Sequence, residues 1–222
     1  MRFLIHPSLK AKAPSLALGV VRARVADVRQ DPAMSDKLRS VAEAVLGFAR
    51  TDAELAAVPQ VAAAQAAYRA CGKDPRRYRG SAEALALRVI QGKGLYFVNN
   101  VVDVNNLVSL RAMVPSGAYD LANLSGDAAF RVGAPGESYE GIGKGAIDLE
   151  GLPLLADVAG PFGSPTSDSR RAMITPATRD VALVLMSFSG RMDGVLESAA
   201  REAADLLRQH AGADGIEVEI VE

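Results

Sequence analysis

The 222-residue chain has no tryptophan, one cysteine and two histidines. A lone Cys71 excludes an intrachain disulfide, and with His6 and His210 it cannot supply the four Cys or His ligands of a structural zinc site. No run reaches the roughly 18 apolar residues of a membrane helix, and the apolar run after Met1 is too short for a signal peptide. We therefore expect a cytoplasmic protein with no metal, no other cofactor and no membrane partner.

Neither sign of charge dominates: 25 Lys and Arg residues face 26 Asp and Glu residues, for a net charge of −1. This excludes a global positive field as the means of holding nucleic acid, but a local basic surface stays open. Residues 73–93 carry six cationic side chains against two acidic ones, the most basic window of the chain. The candidate phosphate contacts in this window are Lys73, Arg76, Arg77 and Arg79.

The hydrophobic share of 49% and charged share of 23% are typical of a folded globular chain. Weak alternation predicts a strand over residues 20–28, and helical spacing governs residues 35–70, with Leu38, Val41, Val45 and Phe48 on one stripe. Short apolar runs predict strands over residues 128–132 and 181–188, the second buried on both faces. A helix over residues 193–210 and a strand over residues 216–221 complete one expected α+β domain spanning residues 1–222.

Two further helices are predicted between these segments, and each has a candidate N-cap. The Ser81 hydroxyl can accept an orphan backbone N–H, and Leu85, Val89 and Ile90 give the following helix its buried face. Asp103 is the candidate cap of the next helix. Gly92 and Gly94 fall in the connector between the two helices.

Several familiar catalytic motifs are missing. The glycine-rich residues 141–145 depart from the phosphate-loop pattern, because Ser138 replaces its first glycine and Gly145 follows Lys144. Neither a Gly-x-Ser-x-Gly elbow nor a Ser-x-x-Lys pair occurs. We expect His6 and His210 to be packed or solvated. Chemistry would then rest on carboxylates, hydroxyls and backbone amides, which suffice for an activated ester if water and the oxyanion are well positioned.

Asp168 is the leading candidate among the carboxylates. It lies in a cluster of hydroxyl residues, Ser164, Thr166, Ser167 and Ser169. Such a carboxylate can anchor a substrate amine, or it can form an Asx-type turn with its own backbone. Glu137, Glu140 and Asp157 are weaker candidates, because isolated surface carboxylates are most often simply solvated.

Four blocks in order carry a family resemblance: residues 78–85, residues 95–107 with the sequence Val-Val-Asp-Val, residues 115–120 with Ala-Tyr-Asp, and residues 174–181. Together they resemble the B3/B4 editing module of the β subunit of bacterial phenylalanyl-tRNA synthetase. Residues 160–169 are more similar to freestanding B3/B4 proteins. The match is strongest over residues 73–189. It implies a β-sandwich-like core with packed helices.

The resemblance also implies a function, namely metal-independent hydrolysis of a wrongly charged aminoacyl-tRNA with help from the terminal ribose of the tRNA. The implied partner is tRNA, not DNA. Motif positions that match include Asp103 and Asp120. Thr178 and Asn105 fall on matching motif positions and join Asp168 as the expected catalytic residues, although Asn105 can instead simply satisfy a loop carbonyl. The implied substrate-binding residues are Tyr96, Gly117, Ala118, Tyr119, Glu140, Ser167 and Ser169.

Two departures bear on specificity. Gly117 stands where the synthetase module has a histidine, and Tyr96 where it has an arginine. Both positions belong to the pocket that recognises mischarged tyrosine, so the resemblance does not imply that specificity here. Glycine at 117 would leave either open volume or a backbone free to approach the ligand. A non-catalytic module that binds tRNA or an amino acid, and a small-molecule enzyme unconnected with tRNA, stay open as alternatives.

Overall fold

A computed structural model describes residues 1–192 and 194–222. Its strands are β1 (Phe3–Ile5), β2 (Ala17–Arg24), β3 (Ser116–Asp120), β4 (Ala128–Val132), β5 (Ser138–Glu140), β6 (Ala146–Asp148), β7 (Pro153–Asp157), β8 (Gly160–Gly163), β9 (Asp180–Ser187) and β10 (Asp214–Val221). Its helices are α1 (Pro7–Lys10), α2 (Pro32–Val45), α3 (Asp52–Ala56), α4 (Pro59–Ala70), α5 (Ser81–Ile90), α6 (Asn100–Ala112) and α7 (Val195–Ala211). The expected first residue of the last helix, Asp193, lies outside the described residues.

Two four-stranded sheets organise these elements. The first has the order β10-β2-β9-β3 and is antiparallel throughout. The second has the order β1-β4-β7-β8, with β1 parallel to β4 and the other pairs antiparallel. Strands β5 and β6 form a separate hairpin. This mixture of packed sheets and helices confirms the expected α+β class with a sandwich-like core.

The first sheet lies between a helical layer and the second sheet. On β9, Val181 and Leu183 join a core shared with α2, α6 and α7, whereas Ala182 and Val184 join a core shared with the second sheet. Successive side chains of a strand point to opposite faces, so a strand between two layers needs an unbroken apolar run. The expectation that this strand is buried on both faces is confirmed, as is the strand over residues 128–132.

The two predicted helix caps are wrong. Helix α5 has Gly80 at its N-cap, because the Ser81 hydroxyl instead accepts a hydrogen bond from Ser116 N at 2.9 Å and donates one to Ser116 O at 3.1 Å. Helix α6 is capped one turn before Asp103 by the side chain of Asn99. The Asp103 carboxylate accepts a hydrogen bond from Val98 N at 2.9 Å, and burial raises its pKa. It therefore holds the segment that enters α6.

In the helical region 35–70, the stripe expected to reach Phe48 ends earlier. Helix α2 ends at Val45, so Phe48 lies beyond it and is 51% exposed, while Leu38 and Val41 are buried as predicted. Pro59 is the first residue of α4, a position where its missing N–H costs nothing.

Candidate functional site

The expected site residues of β3 lie on both faces of the first sheet. Tyr119 faces the second sheet, whereas Ala118 packs against the core on the helical side. Both β3 and β8 are edge strands of their sheets. The Tyr119 ring meets Phe162 of β8 edge to face, with ring centres 5.0 Å apart. Tyr119 therefore spans the junction between the two edge strands.

Two glycines make room for the Tyr119 ring. A Cβ atom added to Gly117 would lie 2.1 Å from the Tyr119 hydroxyl oxygen, and one added to Gly163 would lie 2.3 Å from it. Any side chain at either position would overlap the ring. The space beside Gly117, expected to be open or accessible to a ligand, is filled by Tyr119.

The Tyr119 hydroxyl donates a hydrogen bond to Asp168 Oδ1 at 2.8 Å. Burial raises the pKa of Asp168 to about 7, although the bond from Tyr119, a backbone bond from Ser164 and the Lys144 cation each lower it in part. Burial and the neighbouring Asp168 raise the pKa of Tyr119 well above its usual value, so its hydroxyl stays protonated as a donor. The site thus holds a carboxyl group that changes charge near neutral pH.

The turn that carries Asp168 is built by Ser164. The Ser164 hydroxyl accepts hydrogen bonds from Thr166 N at 3.3 Å and Ser167 N at 3.0 Å, and it donates to Ser167 O at 2.8 Å. The Tyr139 hydroxyl also donates to Ser167 O, at 2.6 Å. Because Ser164 closes this turn, the Asp168 side chain is left to bond Tyr119, and its role as an anchor for a substrate amine stays a prediction.

The β5–β6 hairpin covers the outer side of this turn. Its glycine-rich residues 141–145 form the hairpin turn, and Ile142 N donates a hydrogen bond to Asp168 O at 3.1 Å. A further bridge joins Gly141 to Ser169. Ser169 is buried and its hydroxyl accepts a hydrogen bond from Ala172 N, while Glu140 is exposed at the end of β5. The hairpin fixes the backbone on which Asp168 sits.

Asn105 lies on α6, against the start of β3. Its backbone carbonyl accepts a hydrogen bond from the Ser116 hydroxyl at 3.3 Å. Its side chain is 6% exposed, and among the described residues the side-chain oxygen Oδ1 has no hydrogen-bond partner. A buried acceptor left unpaired costs about 1–3 kcal/mol. Asn105 therefore keeps an acceptor that a ligand group could satisfy.

Thr178 is buried at the far end of β3. Its hydroxyl donates a hydrogen bond to Asp120 Oδ2 at 2.6 Å and accepts one from Thr175 N at 2.9 Å. The other carboxylate oxygen of Asp120 accepts a hydrogen bond from Ala122 N at 3.0 Å. These bonds tie the turn before β9 to β3. The catalytic role expected for Thr178 stays a prediction.

Tyr96 lies apart from the Asp168 turn. It is 67% exposed on the connector between α5 and α6, and the Arg88 guanidinium lies 4.1 Å from its ring centre. Two turns of α5 separate Arg88 from Ser81, which contacts β3, so about 10 Å along the helix axis lies between them. The structure brings Gly117, Tyr119, Asp168, Ser167 and Ser169 together but not Tyr96.

The basic window contains both free and paired cations. Arg76 and Arg77 are exposed, and no ion pair is found for either among the described residues. Arg79 is bound by Asp52 at 2.7 and 2.9 Å and by Glu83 at 2.6 Å. Lys73 Nζ lies 6.0 Å from the centre of the Tyr78 ring. Of the four expected phosphate contacts, Arg76 and Arg77 are the most available.

Three residues near these sites carry little signal in the sequence. Tyr139 and Lys144 flank Asp168, and Arg69 lines a groove of about 490 Å³ together with Arg76. Arg69 is the easiest to anticipate, because it is a basic residue in the last turn of α4, just before the basic window. Tyr139 lies in a three-residue strand, which is too short to show the alternation of apolar and polar residues that predicts a strand.

The other polar candidates have structural partners. Glu137 binds Arg131 at 2.6 and 2.7 Å, and Asp157 binds Arg171 at 2.9 and 3.0 Å, so both are paired and not simply solvated. His210 Nδ1 lies 2.9 Å from the carboxylate of the α2 N-cap residue Asp31. The His6 side chain caps α1. Both histidines are thus accounted for by packing or capping.

Among residues 1–192 and 194–222, no three His, Cys, Asp or Glu side chains are grouped so that they could hold a metal ion. Within the same residues, none of the helices combines the length and the apolar character needed to cross a membrane.

Comparisons with known proteins place the chain. The profile of the family described as "B3/4 domain" matches residues 63–212. One similar solved structure is an N-terminal fragment of the phenylalanyl-tRNA synthetase β subunit from Pyrococcus horikoshii, with a TM-score of 0.46, 14% identity, and coverage of 99% of this chain and 50% of that one. The chain spans about half the length of that fragment. No curated protein matches the chain.

Proposed function

The chain belongs to the B3/4 domain family, and from this premise we propose that it deacylates mischarged aminoacyl-tRNA in trans. The observation that carries the proposal is the Asp168 carboxyl group, whose pKa of about 7 results from its burial beside Tyr119. A general base works best when its pKa lies near the working pH. Asp168 meets this condition for the hydrolysis of an ester.

In the proposed reaction, the Asp168 carboxylate takes a proton from a water molecule as that water attacks the ester carbonyl carbon. The bond between the carbonyl carbon and the ribose oxygen then breaks, and the ribose oxygen receives the proton. Positioned base catalysis of this kind contributes about 10²–10⁴-fold to a rate. The Tyr119 hydroxyl keeps the carboxylate oriented through its 2.8 Å bond. The unpaired Oδ1 of Asn105 lies on α6, on the helical side of β3, and the catalytic role expected for Asn105 stays a prediction.

The tRNA would be held by its phosphates. Arg76 and Arg77 are exposed cations beside the groove that Arg69 also lines, and phosphate contacts are the main source of affinity in such complexes. Arg79 contributes less directly, because Asp52 and Glu83 already bind its guanidinium.

The test is a deacylation screen over correctly and wrongly charged tRNAs, with the wild type, Asp168→Asn and the control Asp205→Asn on the exposed surface of α7. We expect the wild type and the control to hydrolyse at least one mischarged tRNA, with or without a chelator, and Asp168→Asn to lose most of that rate. Tyrosine carried by phenylalanine-specific tRNA should be a poor substrate, since the positions of the tyrosine pocket differ at Gly117 and Tyr96.

Binding without hydrolysis identifies the alternative function. If the wild type shifts the mobility of tRNA across the panel but every ester stays intact, the chain is a binding module. If a chelator abolishes hydrolysis and zinc restores it, the metal-independent mechanism is wrong.

A further inference from the structure

We propose that residues 91–99, together with Arg39 and Arg88, form a stacking surface for unpaired nucleotides of RNA. We call residues 91–99 the α5–α6 connector. The inference rests on RNA as the partner in the proposed function, but it does not depend on hydrolysis. It assigns to the connector a contact outside the Asp168 turn.

The connector exposes three consecutive large apolar side chains. Tyr96 is 67% exposed, Phe97 36% and Val98 49%. Single exposed apolar residues are common, but adjacent ones in an exposed segment mark a contact surface. This surface has no covering partner among the described residues.

Each aromatic ring of the connector has an arginine over one face. The Arg88 guanidinium lies 4.1 Å from the centre of the Tyr96 ring, and the Arg39 guanidinium lies 5.1 Å from the centre of the Phe97 ring. Nucleic-acid bases stack on aromatic rings and on guanidinium planes alike. The connector offers both kinds of plane side by side.

The connector is held in place before any ligand arrives. Arg88 Nε donates a hydrogen bond to Gly94 O at 3.1 Å, and a second Arg88 nitrogen donates to Lys93 O at 3.4 Å. At the other end, Val98 N donates to Asp103 Oδ1 at 2.9 Å. A surface fixed at both ends loses little conformational freedom on binding.

Charge favours RNA over an apolar protein segment as the occupant. Arg39 and Arg88 lie over the two rings, and Lys93 is an exposed cation of the same connector. Of the nearby acidic groups, Asp36 is paired with Arg39 at 2.6 Å, and Asp103 is buried and accepts the hydrogen bond from Val98 N. Phosphates need such cations while the bases stack. A purely apolar partner would gain nothing from them.

The absence of tryptophan from the chain permits a direct test. Tyr96→Trp introduces a unique fluorophore that a stacked base quenches. The probe is single-stranded oligoadenylate, which carries no amino acid, and its duplex with oligouridylate is the arm without unpaired bases. Val158→Trp, at a 78% exposed position between β7 and β8, is the matched control. We expect saturable quenching only for Tyr96→Trp with the single strand.

Substitution of the ring gives an independent measurement. Tyr96→Ala should weaken oligoadenylate binding by roughly 5- to 150-fold, and Tyr96→Phe should retain it, because stacking needs the ring and not the hydroxyl. Equal binding by Tyr96→Ala, or equal quenching by the duplex, would overturn the proposal.

These outcomes separate the two proposals. Quenching by oligoadenylate in a chain that hydrolyses no ester would refute the proposed function and keep the stacking surface. Hydrolysis of charged tRNA without quenching, and with a normal Tyr96→Ala variant, would refute the stacking surface alone.

Discussion

At the scale of single residues, the state of Asp168 decides the pH dependence of the proposed reaction. The ionised form acts as the base, and the pKa is about 7. We therefore expect the deacylation rate to rise with pH through about 7 and to level off above it, and to fall as the pH drops below it. A pH–rate profile of the wild type tests this, and a flat profile between about pH 5 and about pH 8 would exclude Asp168 as the base.

The same pKa predicts that the stability of the protein falls over the pH range in which the reaction rate rises. Because folding raises the pKa of Asp168, its contribution to stability is fully present below the unfolded value of about 3.9 and is lost as the pH rises through about 7. Because asparagine does not ionise, the Asp168→Asn variant does not lose this stability as the pH rises. We expect the wild type to be less stable relative to Asp168→Asn at about pH 8 than at about pH 5, as thermal unfolding of both proteins would measure.

Gly117 gives a steric prediction. Tyr119 cannot move away from a new Cβ atom, because its ring packs on Phe162 and its hydroxyl is bonded to Asp168. Gly117→Ala should therefore destabilise the fold by about 1–3 kcal/mol, and Gly117→His by more.

Deacylation should fall together with the stability of the Gly117 variants, because a displaced Tyr119 no longer orients Asp168. Denaturant unfolding of Gly117→Ala and Gly145→Ala checks the prediction. Gly145 has no atom within 4 Å of the added Cβ, so its variant should stay within about 0.5 kcal/mol of the wild type. Equal stability of the two variants would mean that the Tyr119 ring can move aside for the new Cβ atom.

The sequence predicted the members of this site better than their arrangement. Gly117 and Tyr119 were named by alignment with the family motif and Asp168 by its cluster of hydroxyl residues, but neither source predicts that they pack together. Tyr119 and Asp168 are 49 residues apart, and the ring fits only because glycines on two different sheets face it. No local pattern in a sequence encodes a contact between the edges of two sheets.

At the scale of elements, the segment between α4 and α5 carries both exposed arginines and an arginine that is already paired with acidic side chains of the protein. Arg79 is occupied by Asp52 and Glu83, whereas Arg76 and Arg77 face solvent. The double variant Arg76→Glu, Arg77→Glu should bind tRNA more weakly and with a flatter salt dependence, since each lost phosphate contact removes about one released counterion.

The control for this charge reversal is Arg208→Glu on the exposed face of α7, which should leave both quantities unchanged. Filter binding over a range of salt concentrations measures them. A salt slope unaltered in the double variant would mean that Arg76 and Arg77 form only a solvated face.

Long periodic elements were predictable, and short ones were not. The unbroken apolar run of β9 and the apolar stripe of α6 identify those elements directly. Strands β5, β6 and β8 have three or four residues within a glycine-rich passage, too few to show alternation. The predicted cap of α5 is wrong because the Ser81 hydroxyl bonds the backbone of β3, and this tertiary contact competes with N-capping of the helix.

At the scale of the whole molecule, residues outside the family match are integral to the core. Strand β2 lies between β9 and β10, and α2 packs on α6. We propose that residues 1–222 fold as one domain. A fragment of residues 63–212, the part that matches the family, lacks β1, β2 and β10 and exposes the long apolar edge of β9.

We expect this fragment to show no cooperative unfolding transition, in contrast to the full chain. Circular dichroism during heating, with light scattering to detect aggregation, makes the comparison. A sharp transition in the fragment would show that the N-terminal elements are dispensable.

The position of β2 also sets the order in which the protein can form. Residues 17–24 leave the ribosome well before their two partner strands, which lie at residues 180–187 and 214–221. The central pairings of the first sheet therefore join the most distant parts of the chain, and such high contact order slows folding because the loop must close before the contacts stabilise it. During synthesis β2 stays without its partner strands, and apolar, until β9 and β10 have emerged. A chaperone that shields short β-prone segments would act at this stage.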